Sequence, residues 1–452
     1  MIDFAPERIA AETSAQLVSS GSGGRPERAS VDSRTVQPGD LFVGLPGEHA
    51  DGARFAAQAL EAGAWGVLLP TGAGARLDDR APGWVFEAAD PLLALQRLAR
   101  AWRRELGVPV VGITGSTGKT SVKDICHAIL PARVHASREN YNTEIGLPLS
   151  LLEASADAQV LVLEMAMRGV GQIAELCRIA EPDVAAITNI GPVHLELLGT
   201  LDAIAEAKAE ILASLGVKGR AVIPEDAEAL EPHLHDRVVT MTFGPGGDVF
   251  ALGDELTRHE RRVVIGTPHG EHEFRLPFTE AHNLTNTLCA VAVGVALDLS
   301  VAEMAERAPR IVFSRLRGQL VELADGVVLI NDCYNANPIS MRAALENLAT
   351  LRTDGRRLAV LGGMGELGPD AAAYHREIGA LARQLGIGPI VGVGELARDY
   401  APDGWAPDAE AAAPCVRRIL KPGDVVLIKG SRVFELERLT DELVARQGAE
   451  RT

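Results

Sequence analysis

Short, nearly continuous apolar runs alternate along most of this chain with stretches whose apolar positions recur at helical spacing. The runs predict buried, mostly parallel strands, and the helical stretches between them predict the layers that cover those strands. Residues 159–164 and 183–190 are two such strands, and 327–332, 357–363, 388–394 and 424–430 are four more. Residues 30–45 predict two strands about a turn at Pro38-Gly39, followed by a helix through Phe55, Ala59 and Leu60 and a strand from Gly66. Residues 91–106 predict a helix with Leu92, Leu93, Leu95, Leu98 and Trp102 on its inner face. The pattern restarts near residue 313, which divides the chain into residues 1–86, 87–313 and 314–452. The predicted class is α/β, with a small N-terminal unit and two larger units with mostly parallel sheets.

One stretch carries more than packing. Val108-Pro-Val-Val-Gly-Ile-Thr-Gly-Ser-Thr-Gly-Lys-Thr-Ser121 runs from a strand through a glycine-rich turn into a helix. Gly112, Gly115 and Gly118 let the backbone close tightly and point its N–H groups toward an anion, and the helix starting near Ser121 adds its dipole. Lys119 adds a full charge, and the Thr120 hydroxyl suits a Mg²⁺ bridging phosphates. Ile113 stands where a strict Walker pattern has its first Gly. The loop still predicts nucleotide binding.

Composition narrows the class. At 452 residues, the chain exceeds one core, and 47% hydrophobic with 23% charged residues is ordinary for a globular protein. A net charge of −17 argues against nucleic acid and membrane surfaces as general partners. No apolar stretch is long enough to span a bilayer, so no membrane insertion is expected. The five cysteines are scattered without Cys-x-x-Cys spacing, and no basic region precedes an apolar run at the start, so a reducing cytoplasmic setting is expected. Only six basic residues are Lys against 38 Arg, so each Lys invites a question.

Ligands in such sheets bind beyond the carboxyl ends of the strands, where the loop, Glu164 and His194 all fall. Glu164 is placed to complete a Mg²⁺ shell begun by Thr120. Lys208 falls on the apolar stripe Leu201, Ile204, Ile211 and Leu215 of a helix, with Glu206 and Glu210 off it. An inward Lys must snorkel, find an anion or lose its proton. Snorkelling stays ahead on sequence alone; the alternative is a neutral amine that reacts with CO₂ to give a Mg²⁺-binding carbamate. His194 is a metal ligand or, more commonly for such a position, a loop histidine bonded to backbone. His282, Asn283 and Asn286 open an Ala-rich helix, as N-cap groups or as contacts to a purine edge.

These segments occur in an order that resembles the Mur ligases. The resemblance rests on Thr114-Gly-Ser-Thr-Gly-Lys-Thr120, the Glu164 strand end, Asn189-Ile-Gly-Pro-Val-His194, Ala205-Glu-Ala-Lys-Ala-Glu-Ile211, His282-Asn283 and Asn331-Asp-Cys-Tyr-Asn335. It covers nearly the whole chain. Asn140-Tyr-Asn-Thr-Glu-Ile-Gly-Leu-Pro148 and Lys429-Gly-Ser-Arg432 are most similar to the members that join D-alanyl-D-alanine to UDP-MurNAc-tripeptide. Asn331, Cys333 and Ala166 depart from the family's usual Asp, Ser and Gly.

The resemblance implies a UDP-sugar-peptide-binding domain at 1–86, a P-loop ATP-binding domain at 87–313 and a C-terminal Rossmann-like closing domain at 314–452. It implies ATP and Mg²⁺, with Lys119, Lys208 and His194 as catalytic residues. Gly115 to Ser121, Asn283, Arg315 and Asp332 would bind ATP. Thr120, Glu164, His194 and an N6-carboxylated Lys208 would hold metal, and Ser33, Arg34, Asn142 and Thr143 would meet the UDP-tripeptide. A cytoplasmic monomer is expected.

Overall fold

The computed structural model describes residues 2–47, 51–77, 82–138, 140–257 and 260–449. The first unit begins with helix α1 (Pro6–Thr13) and strands β1 (Gln16–Ser19), β2 (Ala29–Ser30) and β3 (Leu41–Val43). Helix α2 (Ala56–Glu61), β4 (Gly66–Pro70) and β5 (Trp84–Ala88) complete it. Its sheet runs β1-β5-β4-β3-β2, with only β1 antiparallel to its neighbour.

Helix α3 (Pro91–Leu106) leads out of this unit. Asp90 caps it by accepting from the Leu93 N–H, Pro91 supplies a fitting φ at the first position, and Gly107 ends it in the left-handed region. The predicted inner face needs one correction. Leu93 is 41% exposed, whereas Ala94, Leu95, Leu98, Ala99 and Trp102 are buried. Leu93 lies on the side of the exposed Arg97 and Arg100, four and seven positions on, whereas the nearer-cap Pro91 is buried. Trp102 donates from Nε1 to the Ala154 carbonyl (3.1 Å), so its polar edge is satisfied inside the core. Truncating such a ring costs about 3–5 kcal/mol.

The middle unit holds β6 (Val110–Thr114), α4 (Lys119–Ile129), β7 (Val134–Ala136), α5 (Gly146–Glu153), β8 (Val160–Glu164), α6 (Gln172–Ala180), β9 (Val184–Ile187), α7 (Leu195–Leu198), α8 (Leu201–Ala213), β10 (Arg220–Pro224) and β11 (Val239–Phe243). The sheet order is β11-β10-β9-β6-β8-β7, all parallel. Both faces are covered by helices, which explains the continuous apolar runs. A three-stranded antiparallel sheet follows: β12 (Phe250–Leu256), β13 (Arg261–Thr267) and β14 (Gly270–Leu276). Helix α9 (Ala281–Ala296) then returns to pack on α4.

The last unit contains β15 (Gln319–Glu322), β16 (Val328–Asn331), β17 (Arg357–Gly362), β18 (Ile390–Val393), β19 (Gly404–Ala406) and β20 (Val425–Lys429). Its order is β15-β16-β20-β17-β18-β19, parallel except for β15. The cores divide unevenly. One apolar cluster runs without a break from Ile2, Phe4 and Ile9 through Trp102 to Leu161, Ile204 and Leu230, and so joins the first and middle units. The last unit has two clusters of its own, one on each face of its sheet. Among the described residues no helix is long and apolar enough to cross a membrane.

Candidate functional site

The phosphate-binding loop follows the carboxyl end of β6, in the centre of the middle sheet. Gly115 has φ +148°, and a Cβ there would stand 1.9 Å from the Thr188 hydroxyl. Gly118 has φ +79°, and a Cβ there would stand 2.5 Å from Asn286 Oδ1. Only glycine fits both the backbone and the space. The turn after β9 grips this loop from beside. The Ser116 N–H donates to the Asn189 carbonyl (3.1 Å), the Thr117 N–H to Asn189 Oδ1 (2.9 Å), and the Gly191 N–H to Ser116 Oγ (2.9 Å). The Ser116 and Thr117 N–H groups are therefore taken up by this turn, and the N–H groups at the start of α4 remain for an anion.

Lys119 Nζ curls back onto the Gly115 carbonyl (2.7 Å), and burial holds its pKa below the usual lysine value. Thr120 donates to Glu164 Oε2 (2.9 Å), and Asn142 Nδ2 donates to Glu164 Oε1 (2.8 Å). Thr120, Glu164 and Asn142 are thus joined through one buried carboxylate at the end of β8. Thr143, with these three, lines a cavity of about 830 Å³.

Lys208 is 2% exposed, so it does not snorkel. Among the described residues it has no hydrogen-bond or ion-pair partner. Burial, with the neighbouring charge of Lys119, pushes its pKa well below 10.5. Of the outcomes open to an inward lysine, loss of the proton is the one this environment favours.

His194 stands just before α7 with φ +55°. Its Nδ1 meets Glu366 of the last unit. Burial lowers its pKa against the pull of Glu366, and the charge of Lys119 lowers it further. Lys119, His194 and Lys208 therefore share one neighbourhood.

Two adjoining cavities, of about 1600 Å³ and about 830 Å³, open between the middle and last units, and Lys119, Thr120, His194 and Arg317 line both. Ser116 lines both as well; Thr117, Gly118, Ser121, Asn283 and Asp332 line the smaller. Asn283 is buried at the start of α9 and accepts from Asn286 Nδ2 (3.1 Å). Asp332, at the end of β16, accepts from Lys429 Nζ (2.7 Å). Burial also lowers the pKa of His282, which faces Asp332 and Glu280.

Arg315 is exposed on the wall of the larger cavity. Arg317 is the arginine that reaches the loop: its Nη2 donates to Thr120 Oγ1 (3.1 Å) and its guanidinium lies 4.0 Å from the Tyr334 ring centre. Its Nε is buried without an acceptor among the described residues, a donor left for an anion. Ser33 and Arg34 line neither cavity. Arg34 is exposed and engages Asp32 beside it, whose carboxyl it holds down at about 2.

Family models match three parts of the chain: "Mur ligase family, catalytic domain" over 28–82, "Mur ligase middle domain" over 113–294 and "Mur ligase, glutamate ligase domain" over 316–432. The UDP-N-acetylmuramoyl-tripeptide–D-alanyl-D-alanine ligase of Mycobacterium tuberculosis is 38% identical, with 92% of this chain and 91% of that protein aligned. The chain belongs to the Mur ligase family. Among solved structures, MurF from Acinetobacter baumannii matches this Mur ligase with a TM-score of 0.87 and 30% identity, covering 98% of this chain and 99% of the other. MurF ligase from Thermotoga maritima in complex with ADP matches with a TM-score of 0.81 and 30% identity, covering 94% and 98%. The predicted fold class agrees with these neighbours.

Sequence reasoning missed two residues of this Mur ligase site. Arg317 lies two positions beyond the expected Arg315, and only the path of the linker distinguishes them. Glu366 lies in a loop, where no periodicity marks a side chain.

Proposed function

We propose that this Mur ligase joins D-alanyl-D-alanine to UDP-N-acetylmuramoyl-tripeptide, using ATP and passing through an acyl phosphate. The observation that carries the reading is the phosphate-binding loop with Thr120, Glu164 and Asn142 hydrogen-bonded beside it and Lys208 buried near Lys119. The relatives' names supply the substrates.

The N–H groups at the start of α4, Lys119 and Arg317 hold the phosphates and offset their charge as a peptide carboxylate approaches. The carboxylate oxygen attacks the terminal phosphorus and ADP leaves. The dipeptide amine then attacks the acyl carbon, a proton is lost, and phosphate departs with its oxygen. Asn283 would meet the adenine, Asp332 the ribose, and Arg315 a phosphate. Asn142 and Thr143, with Ser33 and Arg34 on the first unit, would meet the UDP-tripeptide. The last unit excludes water, which would hydrolyse the acyl phosphate.

The site suits Mg²⁺. Glu164 and Thr120 present adjacent hard oxygens, and a neutral Lys208 amine can take up CO₂ to become a further carboxylate, next to His194. No three His, Cys, Asp or Glu residues among the described residues are placed to hold a metal ion together, so phosphate oxygens and water would have to complete the shell. The bound ion would neutralise charge between the phosphates and the carboxylate. We assign functional domains to 1–86, 87–313 and 314–452. The working unit is one chain, and the setting is the cytoplasm, where ATP is supplied.

The deciding assay is ADP release with UDP-MurNAc-tripeptide, with and without D-alanyl-D-alanine. Sustained release is expected only with both. Equal release without the dipeptide would indicate a phosphotransferase or hydrolase.

A further inference from the structure

The turn after β17 reads Gly362-Gly-Met-Gly-Glu-Leu-Gly368, and one of its residues leaves the last unit for the middle one. Glu366 places Oε2 on His194 Nδ1 and Oε1 3.6 Å from Arg168 Nε. Its carbonyl accepts from the Glu196 N–H (3.3 Å). Gly368 approaches so closely that a Cβ would lie 3.2 Å from Glu196 Cα.

The backbone is strained for this purpose. Glu366 has φ +61° and His194 has φ +55°, a region that costs a residue with a side chain about 1–2 kcal/mol. Glycine would be cheaper at Glu366, in a run where glycine is otherwise abundant. A carboxylate kept there against that cost points to a use for the side chain. The rest of the turn is braced from its own unit. The Met364 N–H donates to His375 Nε2 (2.9 Å), itself fully buried, and the Gly365 N–H donates to Ser431 Oγ (2.9 Å).

A surface ion pair alone would contribute little, and Arg168 is largely exposed. The His194 contact differs, because a carboxylate on Nδ1 fixes the imidazole tautomer. The proton then stays on Nδ1 and the Nε2 lone pair is free. Metal-binding histidines are held in this way by carboxylates behind them. Here that carboxylate belongs to another domain.

We propose that Glu366 is a positioning residue, supplied by the closing domain, that orients His194 for the divalent cation only when the two units meet. The proposal rests on the reading of His194 as a metal residue. It makes metal binding and domain closure a single event: an open enzyme has a misaligned His194, and ATP bound to the middle unit alone lacks a complete cation site.

The test uses the full chain with Mn²⁺ in place of Mg²⁺ and a nonhydrolysable ATP analogue, with free Mn²⁺ read by electron paramagnetic resonance. Glu366→Gln and His194→Gln should each bind Mn²⁺ about tenfold less tightly or worse. The double variant should bind no more weakly than His194→Gln alone, because Glu366 acts only through His194. Arg168→Ala should change affinity less than about twofold. Thermal melts of the variants should match the parent, so that loss of fold is separated from loss of metal. Wild-type Mn²⁺ affinity in Glu366→Gln beside a weakened His194→Gln overturns the proposal, as does a double variant whose loss is the product of the singles. Unchanged affinity in His194→Gln removes His194 from the metal site and takes the proposal with it.

Discussion

Two glycine-rich turns of this enzyme follow parallel strands in two sheets of similar build, yet they do opposite things. The turn after β6 uses Gly115 and Gly118 to open a nest of N–H groups, with Lys119 behind them. The turn after β17 spends its left-handed positions on Glu366 and Gly368 and presents a carboxylate. One attracts anions; the other holds cationic or proton-donating side chains. The sheets are interchangeable in outline, so the chemistry resides in which side chain occupies the turn. The same contrast explains why the units differ in what they must bind alone.

Lys119→Ala strikes the first turn hardest. Turnover, measured as ADP release, should fall about a thousandfold with the fold intact, because a preorganised charge at the reacting phosphate is lost. Lys119→Arg should not rescue it, since a planar fork does not reproduce a compact ammonium. Near-normal turnover in either variant would end the contrast between the turns.

Lys208→Ala should cost about a hundredfold, and added acetate should restore part of it by supplying carboxylate oxygens where a carbamate would lie. Rescue by methylamine instead would show that a cation is needed there. In CO₂-free buffer the same residue should leave a mark on stability. Its folded pKa lies below 10.5, so unfolding takes up a proton at pH values between the two. Stability should therefore fall as pH drops from about 10.5, and Lys208→Met should flatten that dependence in denaturant titrations. A variant that keeps the full slope would place its origin elsewhere.

Asp332→Ala tests the far wall of the smaller cavity. It should raise the KM for ATP about tenfold, the value of a hydrogen bond to a charged group, while leaving the Kd of UDP-tripeptide within about twofold. Equal losses for both would signal general damage to β16 and its partner Lys429. The smallest effects compare the turns directly. Gly118→Ala should lower both stability, by about 1–2 kcal/mol, and nucleotide affinity, whereas Gly368→Ala should lower stability by about 1 kcal/mol and leave nucleotide affinity alone. If Gly368→Ala weakens nucleotide binding equally, the two turns are not independent.

Much of this was legible beforehand where burial imposes periodicity. The central strands β6, β8 and β9 and the strands β16, β17, β18 and β20 stand out because helices cover both faces, whereas β7, β10, β11 and β19 of the same sheets went unread; Lys208 stood out as a cation on an apolar stripe. The strand expected over 183–190 proved shorter, ending at Ile187, because the turn after it bends early to grip the phosphate loop. The β12–β14 sheet went unread: β12 is largely solvent-facing, so its residues carry little apolar pattern. Leu201 lies on the stripe by spacing but is half exposed at the start of α8, where the helix has not reached the core. Arg317 and Glu366 depend on where a linker and a turn are carried in space, which local spacing does not encode.

The uneven division of the apolar cores has a practical meaning for anyone cutting the gene. A splice near residue 86 would expose the flank of α3 and the side chains of Phe4 and Trp102 (5.6 Å between ring centres) that hold the first unit to the second. A splice near residue 314 severs no apolar cluster of that size among the described residues; the ties there include the two hydrogen bonds from Ser314 to Asp124 and the contact of Ile339 with Gly191. Heated in a calorimeter, the enzyme should behave as two bodies: residues 2–313 melting together, and the last unit melting at a temperature of its own.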